Sequence, residues 1–187
     1  MTPPQGALDA ARTTAALANA LKSQYHASLA MLRRAIEECP DDLWLDAGPK
    51  NAFWQVAYHA LFFAHLYMGQ GEESFVPWAE HQRDTQNEDG IAGEPDPKST
   101  LPVIPRPYSK DQALRYWAIV DAMVDATVDA LDLTRADSGF SWYTMPKIEH
   151  EILSVRHIQH HAAQLADRLR AARGVGIRWV GAGPKAT

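Results

Sequence analysis

Apolar residues recur at helical spacing along most of the chain, and no long stretch alternates with the period of a β-strand. The clearest stripe joins Leu17, Leu21, Tyr25, Leu29 and Leu32 at intervals of three and four residues. A stripe of this kind predicts a helix with one buried face. The pattern therefore predicts an all-α protein with four long helices, at about residues 8–38, 51–68, 110–131 and 146–173.

Residues with known preferences mark the predicted helix ends. Pro40 ends the first helix, and Asn51 is the predicted N-cap of the second. Ser109 and Gln112 have the form of a capping box at the start of the third helix. Gly174 closes the fourth, and the short apolar tail after it is expected to pack back on the helices.

A long irregular segment separates the second and third helices. Residues from about 70 to 107 contain six of the 12 prolines and three of the 11 glycines. Loops of this length in a compact domain are often lids or binding loops, although a mobile surface insertion is the alternative. The predicted fold is a four-helix bundle with one long crossover, in a single domain that spans residues 1–187.

The second helix is apolar nearly all round, and the 21 residues from Asn51 to Gly71 carry no formal charge. That length could span a bilayer, but His59, His65 and Gln55 are costly in hydrocarbon. A helix buried inside a soluble bundle explains the pattern better. Burial at a homodimer interface is a second use of the same surface.

Composition narrows the class of protein. The 187 residues carry 18 Lys and Arg against 23 Asp and Glu, a net charge of −5, which argues against a nucleic-acid partner. Cys39 is the single cysteine, so no internal disulfide can form; it is expected to be structural, and a role as nucleophile is the alternative. The first residues lack the pattern of a signal peptide, and a cytoplasmic location is expected.

The informative histidines are His157 and His161, which stand four residues apart on the fourth helix and so face the same way. Such a pair can bind one metal ion, and it can also be an ordinary pair of hydrogen-bonded or solvated histidines. A third ligand must come from another helix, and His59 in the buried second helix is the best candidate. Three histidines leave positions on a metal for water or substrate, as in catalytic sites.

Neighbouring residues exclude two other metal motifs. Position 158 is Ile, where a zincin helix carries the Glu that acts as base. No histidine has a Glu three positions before it, which excludes the di-iron pattern. The acidic residues of the third helix have no partner motif and are expected to be a solvated face; they are Asp121, Asp125, Asp129 and Asp132.

Three polar residues are expected near the histidines. Gln164 is close to His161 on the same helix, and Gln55 lies one turn before His59, so both are predicted to line the cavity or to support a ligand. His150 shares the face of His157 and is predicted to line an entrance. No residue is identified as the general base, so the catalytic residues stay unassigned.

Three segments resemble the DinB/YfiT-like family of metal-binding four-helix bundles. They are the second helix FWQVAYHALFFAHLYM, the late-helix run HIQHHAAQL and the end of the first helix, ECPDDLW. The resemblance covers about residues 8–173 without the insertion. Relatives commonly have Arg-Gly-Gln after the last histidine, whereas this chain has Ala162, Ala163 and Gln164.

The resemblance implies an up-down-down-up bundle, often dimeric, with one divalent ion on His59, His157 and His161. Zinc or nickel is the expected ion, and iron or another divalent metal also suits three imidazoles. Some relatives use low-molecular-weight thiols as co-substrates. The expected function is a metal-dependent transferase or hydrolase that acts on a small molecule, and the alternative is a non-catalytic metal-binding or stress-linked interaction bundle.

Overall fold

A computed structural model describes residues 5–46, 51–83, 85–87 and 106–184, and these ranges contain helices and no strand. The all-α prediction is confirmed. A short helix that the sequence did not predict lies in the connector after the first long helix. The α-helices are α1 (Gln5–Glu38), α2 (Asp41–Trp44), α3 (Phe53–Tyr67), α4 (Lys110–Asp129) and α5 (Lys147–Arg173), with a 3₁₀ turn at Glu72–Ser74.

The helix ends follow the expected capping chemistry at two of three places. Ser109 Oγ accepts from the backbone N–H of Gln112, and the Gln112 side chain accepts in return from the Ser109 N–H, which confirms the capping box at α4. Gly174 adopts the left-handed conformation that closes α5. The prediction of Asn51 as N-cap of α3 was wrong, because Ala52 occupies that position.

The four long helices form a ring in which α1 packs against α4 and α5, and α3 packs against the same two. Paired contacts give the directions: α1 is antiparallel to α4 and parallel to α5, and α3 is antiparallel to α5. For α1 and α4 the pairs are Lys22 with Asp129 and Leu29 with Trp117. For α1 and α5 they are Tyr25 with Glu151 and Met31 with Gln159. For α3 and α5 they are His59 with His157 and Tyr67 with His150. This is the predicted up-down-down-up bundle.

The third α-helix lies inside the bundle, as its sequence predicts. Eleven of its 15 residues are buried, and its remaining four are the half-buried Gln55, His59, Phe63 and His65. Among the described residues, none of the helices combines the length and the apolar character needed to cross a bilayer. The apolar run is therefore accounted for by the core of the bundle.

The described part of the predicted insertion packs on the bundle through aromatic rings. Trp78 stacks on Tyr116 of α4 with the ring centroids 4.7 Å apart, and His81 Nδ1 lies 2.6 Å from the Tyr58 hydroxyl. Tyr108, just before α4, stacks on Tyr58 at 4.4 Å. This part of the insertion thus covers the junction of α3 and α4. Residues 84 and 88–105 of the predicted insertion lie outside the described residues.

The tail after α5 runs back along α1. The Gly183 N–H donates to the Ser23 carbonyl at 2.9 Å, and the Arg34 side chain donates to the Arg178 carbonyl at 3.2 Å. Ile177 packs against the core, in agreement with the prediction, whereas Trp179 stays 68% exposed.

A buried ion pair within α5 is linked to α1 by a hydrogen bond from Tyr25. Lys147 Nζ lies 2.9 Å from Glu151 Oε1, and both side chains are completely buried. The Tyr25 hydroxyl donates to the other oxygen of Glu151 at 2.6 Å, and Lys147 also donates to the Gly69 carbonyl at 2.5 Å. One carboxylate and one ammonium therefore hold three parts of the chain together in the interior.

We expect Lys147→Met to lower the free energy of unfolding by about 3–5 kcal/mol, because it leaves the Glu151 carboxylate buried without its counter-ion. The double variant Lys147→Met/Glu151→Leu should recover much of that loss. Urea unfolding followed by circular dichroism measures both.

The matched control is Glu37→Gln, which breaks an i,i+4 pair with Arg33 on the exposed face of α1 and leaves Arg33 over the Trp117 ring. It should change the stability by less than about 0.5 kcal/mol. A loss no larger for Lys147→Met than for Glu37→Gln would contradict a structural role for the buried pair.

Candidate metal centre

The crossing of α3 and α5 brings together the three histidines that the sequence singled out. His59 lies in the middle of α3, and His157 and His161 lie one turn apart on α5. The Nε2 atom of His157 is 3.1 Å from Nε2 of His59 and 3.1 Å from Nε2 of His161. Among the described residues, these three histidines form a cluster of side chains that could bind one metal ion.

These separations match a shared cation. Metal–nitrogen bonds of about 2.0–2.1 Å place neighbouring ligand nitrogens about 2.9–3.4 Å apart in octahedral or tetrahedral geometry. The observed 3.1 Å lies inside that interval. Both separations from His157 thus have the spacing of a ligand pair, and the three ligand atoms all lie within 4.8 Å of one another.

The opposite ring nitrogens of two histidines are held by oxygen atoms. His59 Nδ1 lies 2.7 Å from the backbone carbonyl of Gln86, and His161 Nδ1 lies 3.1 Å from Oε1 of Gln164. A carbonyl oxygen can only accept, so each of these Nδ1 atoms carries the proton. In the neutral rings the Nε2 lone pairs of His59 and His161 are then free to bind a metal.

The donor set is better suited to a cation than to internal hydrogen bonds. If His157 carried its proton on Nε2, it could donate one good hydrogen bond, either to Nε2 of His59 or to Nε2 of His161. The lone pair on the other Nε2 would then stay unpaired in a mostly buried place. A bound divalent ion would accept all three lone pairs at once. The residues present therefore fit a metal.

Burial keeps the three imidazoles neutral, which is the form that binds metal. Burial lowers the pKa of His59 to about 4 and that of His157 to about 3, and it lowers the pKa of His161 to about 4. Mutual repulsion between the rings adds to the effect. At neutral pH no proton needs to leave a ring before an ion can bind.

The site is partly open on one side. His161 is buried, whereas His59 and His157 are half-buried. Phe63 covers one flank, with its ring 4.7 Å from that of His59 and 5.7 Å from that of His157. A small molecule could thus approach the two half-buried rings along an apolar wall.

The two predicted supporting glutamines have different roles. Gln164 contacts His161, as expected for a residue that supports a ligand. Gln55 is instead engaged at the start of α3, where its Oε1 accepts from the Ala52 N–H at 2.7 Å. The sequence did not reveal Gln86, because it contributes a backbone carbonyl that any residue would carry.

The remaining predictions about histidines and acidic residues are settled by burial and pairing. The prediction that His150 lines an entrance was wrong, because this side chain is completely buried. The acidic face of α4 is exposed in part but pairs with α1, through Asp121 and Asp125 with His26. Cys39 is buried, and burial raises the pKa of its thiol to about 12.

Comparison with known families agrees with the fold. The model of the DinB superfamily matches residues 24–165, a range that contains His59, His157 and His161. The chain therefore belongs to the DinB superfamily, whose members are usually metal-binding helical bundles. No curated protein and no solved structure gives a significant match to the chain.

We expect the metal-free protein to lose stability as the pH falls from about 6.5 toward about 4. The three rings have lowered pKa values in the folded chain and ordinary values near 6.5 in the unfolded chain, so protons bind preferentially to the unfolded chain in this interval. Urea unfolding of metal-free protein at a series of pH values measures the slope.

The double variant His157→Ala/His161→Ala should show a smaller dependence on pH in that interval. His160→Ala should keep most of the wild-type slope, because burial lowers the pKa of the three rings more than the charge of the exposed His160 does. Equal slopes in all three proteins would contradict the assignment of buried neutral rings.

Proposed function

We propose that the protein is an enzyme that binds one divalent metal ion through His59, His157 and His161 and acts on a small molecule. The observation that carries the proposal is the convergence of three Nε2 atoms, with two of the opposite nitrogens held by oxygen acceptors. Zinc and nickel are the ions proposed first, and iron and other divalent ions also suit three imidazoles.

The number of ligands supports catalysis rather than a closed structural site. Structural zinc sites have four protein ligands, whereas catalytic sites keep a position for water or substrate. In the described part of the chain, the cluster contains three histidines and no cysteine, aspartate or glutamate. When bound, the ion would polarise a substrate oxygen or lower the pKa of a bound water or thiol.

The residues around the triad would orient the ligands and shape the approach. Gln164 and the Gln86 carbonyl hold two rings in the tautomer that leaves Nε2 free. Phe63 limits access of water from one flank. Cys39 is no nucleophile here, because its thiol is buried and its pKa is raised to about 12. A thiol used in the reaction would therefore come from a co-substrate.

Elemental analysis of protein purified without a histidine tag tests the metal site. We expect about one divalent ion per chain in the wild type and its loss in His157→Ala, because removal of one ligand leaves two. His160→Ala is the matched control, since His160 is the neighbouring exposed histidine on α5, and it should retain the metal.

A metal-free wild type that takes up neither zinc nor nickel would overturn the proposal. Equal metal loss in His157→Ala and His160→Ala would place the ion at a different site.

Cobalt-substituted protein separates the thiol-dependent and hydrolytic routes. If a low-molecular-weight thiol binds at the metal, its addition should produce a new sulfur-to-cobalt charge-transfer band, and Phe63→Ala should alter the thiol affinity because Phe63 flanks the rings. A spectrum unchanged by thiol but changed by small carboxylates or by pH would favour hydrolysis by bound water.

A spectrum insensitive to every small molecule, combined with collapse of the fold on chelation, would identify a closed structural site. That result would favour the non-catalytic alternative.

A further inference from the structure

A row of buried polar atoms runs along α5 toward the triad. His150, Ser154 and His157 stand at positions i, i+4 and i+7, so they lie within about 60° of one another around the helix. His150 is 0% exposed and Ser154 is 1% exposed. Among the described residues, four buried polar atoms of this row have no hydrogen-bond partner. They are both ring nitrogens of His150, Oγ of Ser154 and Nδ1 of His157.

The serine is unusual for its position. A serine inside a helix ordinarily donates to a backbone carbonyl of the preceding turn. Ser28 does so in α1, where Oγ donates to the Gln24 carbonyl at 2.8 Å. The Ser154 hydroxyl makes no such bond within the described chain; the polar side chain beside it is Tyr25, whose hydroxyl donates to Glu151. The hydrogen-bonding capacity of Ser154 is thus unused by its own helix.

The histidine at the start of the row is held by rings rather than by hydrogen bonds. His150 stacks on Phe140 with the centroids 4.6 Å apart, and the ring of Tyr67 meets it edge-on at 5.1 Å. Its Nδ1 lies 3.7 Å from Glu151 Oε1, too far for a good hydrogen bond. A phenylalanine would fill this aromatic pocket without burying two polar nitrogens. Because buried polar atoms are normally hydrogen-bonded, we expect the two nitrogens of His150 to have partners.

The spacing along the row suits single water molecules. The helix rise of about 1.5 Å per residue separates His150 from Ser154 by about 6 Å and Ser154 from His157 by about 4.5 Å along the axis. A water that makes two hydrogen bonds of about 2.8 Å spans up to about 5.6 Å. Buried polar atoms without protein partners are the usual positions of structural water.

We propose that ordered water molecules fill this row and link His157 Nδ1, through Ser154 and His150, to the Glu151 carboxylate. Ser154 and His150 are then positioning residues for the triad. The chain of hydrogen bonds ends on a buried carboxylate, which can only accept, so donors along the row point toward Glu151 and His157 carries its proton on Nδ1.

This arrangement completes the support of the three rings. The Gln86 carbonyl and the Gln164 side chain hold Nδ1 of His59 and His161, and the water row would do the same for His157. The consequence for metal affinity rests on the proposed function, whereas the waters and the tautomer are properties of the metal-free protein.

The first test uses the metal-free wild-type protein. A high-resolution crystal structure should show waters between His150, Ser154 and His157, and nitrogen-15 NMR should show His157 as the Nδ1–H tautomer. A dry row, or a His157 proton on Nε2, would overturn the proposal. This test needs no variant and no metal.

The second test compares Ser154→Ala with Ser28→Ala, which removes an equally buried hydroxyl that bonds within its own helix. Ser154→Ala should abolish the tautomer preference of His157 and weaken zinc binding about tenfold, and Ser28→Ala should change neither. An unchanged tautomer in a folded Ser154→Ala protein would overturn the proposal. A wild type with the predicted waters and tautomer but no zinc uptake would contradict the proposed function alone.

Discussion

The antiparallel crossing of α3 and α5 is the contact on which the candidate site depends. The α3 helix is apolar on nearly every side, so the bundle closes around it and leaves few orientations for its one central histidine. The His157 and His161 rings meet His59 from one face of α5. The hydrophobic burial of α3 thus holds the three imidazole rings together, although hydrogen bonds between the rings cannot satisfy all of their Nε2 atoms.

The rings are also held from outside the crossing. The Gln86 carbonyl reaches His59 because the segment before it is docked through Trp78 and His81 on the aromatic residues of α3 and α4. Tyr58, the residue before His59, takes part in the same docking. The described part of the insertion therefore supports His59 at Nδ1, the ring nitrogen opposite the one that faces the other two histidines.

One helix carries both the candidate ligands and the most buried charges of the described chain. The pair of Lys147 and Glu151 lies at the start of α5, where Tyr25 of α1 meets it, and the two ligands lie near the middle of the same helix, on the side that meets α3. A buried carboxylate is tolerated there because Lys147 neutralises its charge at 2.9 Å and Tyr25 donates to one of its oxygens. It also supplies a fixed acceptor in the interior, which orients any polar group placed nearby.

Much of this protein could be read from its residues. The helical period located all four long helices and placed α3 inside, because apolar burial is encoded locally by spacing, and the capping box at Ser109 depends on residues three positions apart. The pairing of His157 with His161 follows from helix geometry, and His59 followed as the best candidate for a third ligand because a buried imidazole needs a partner. The short α2 helix, the Gln55 cap and the burial of His150 were not foreseen.

What remained was decided by contacts between distant parts of the chain. The distance between His59 and His157, the Gln86 carbonyl on His59 and the pairing of α4 aspartates with His26 all join residues far apart in sequence. A backbone carbonyl leaves no mark in the sequence, and no spacing rule states which face of a helix meets another element after the chain closes. Local periodicity determines which residues are buried, but only the packed bundle determines which buried residues meet.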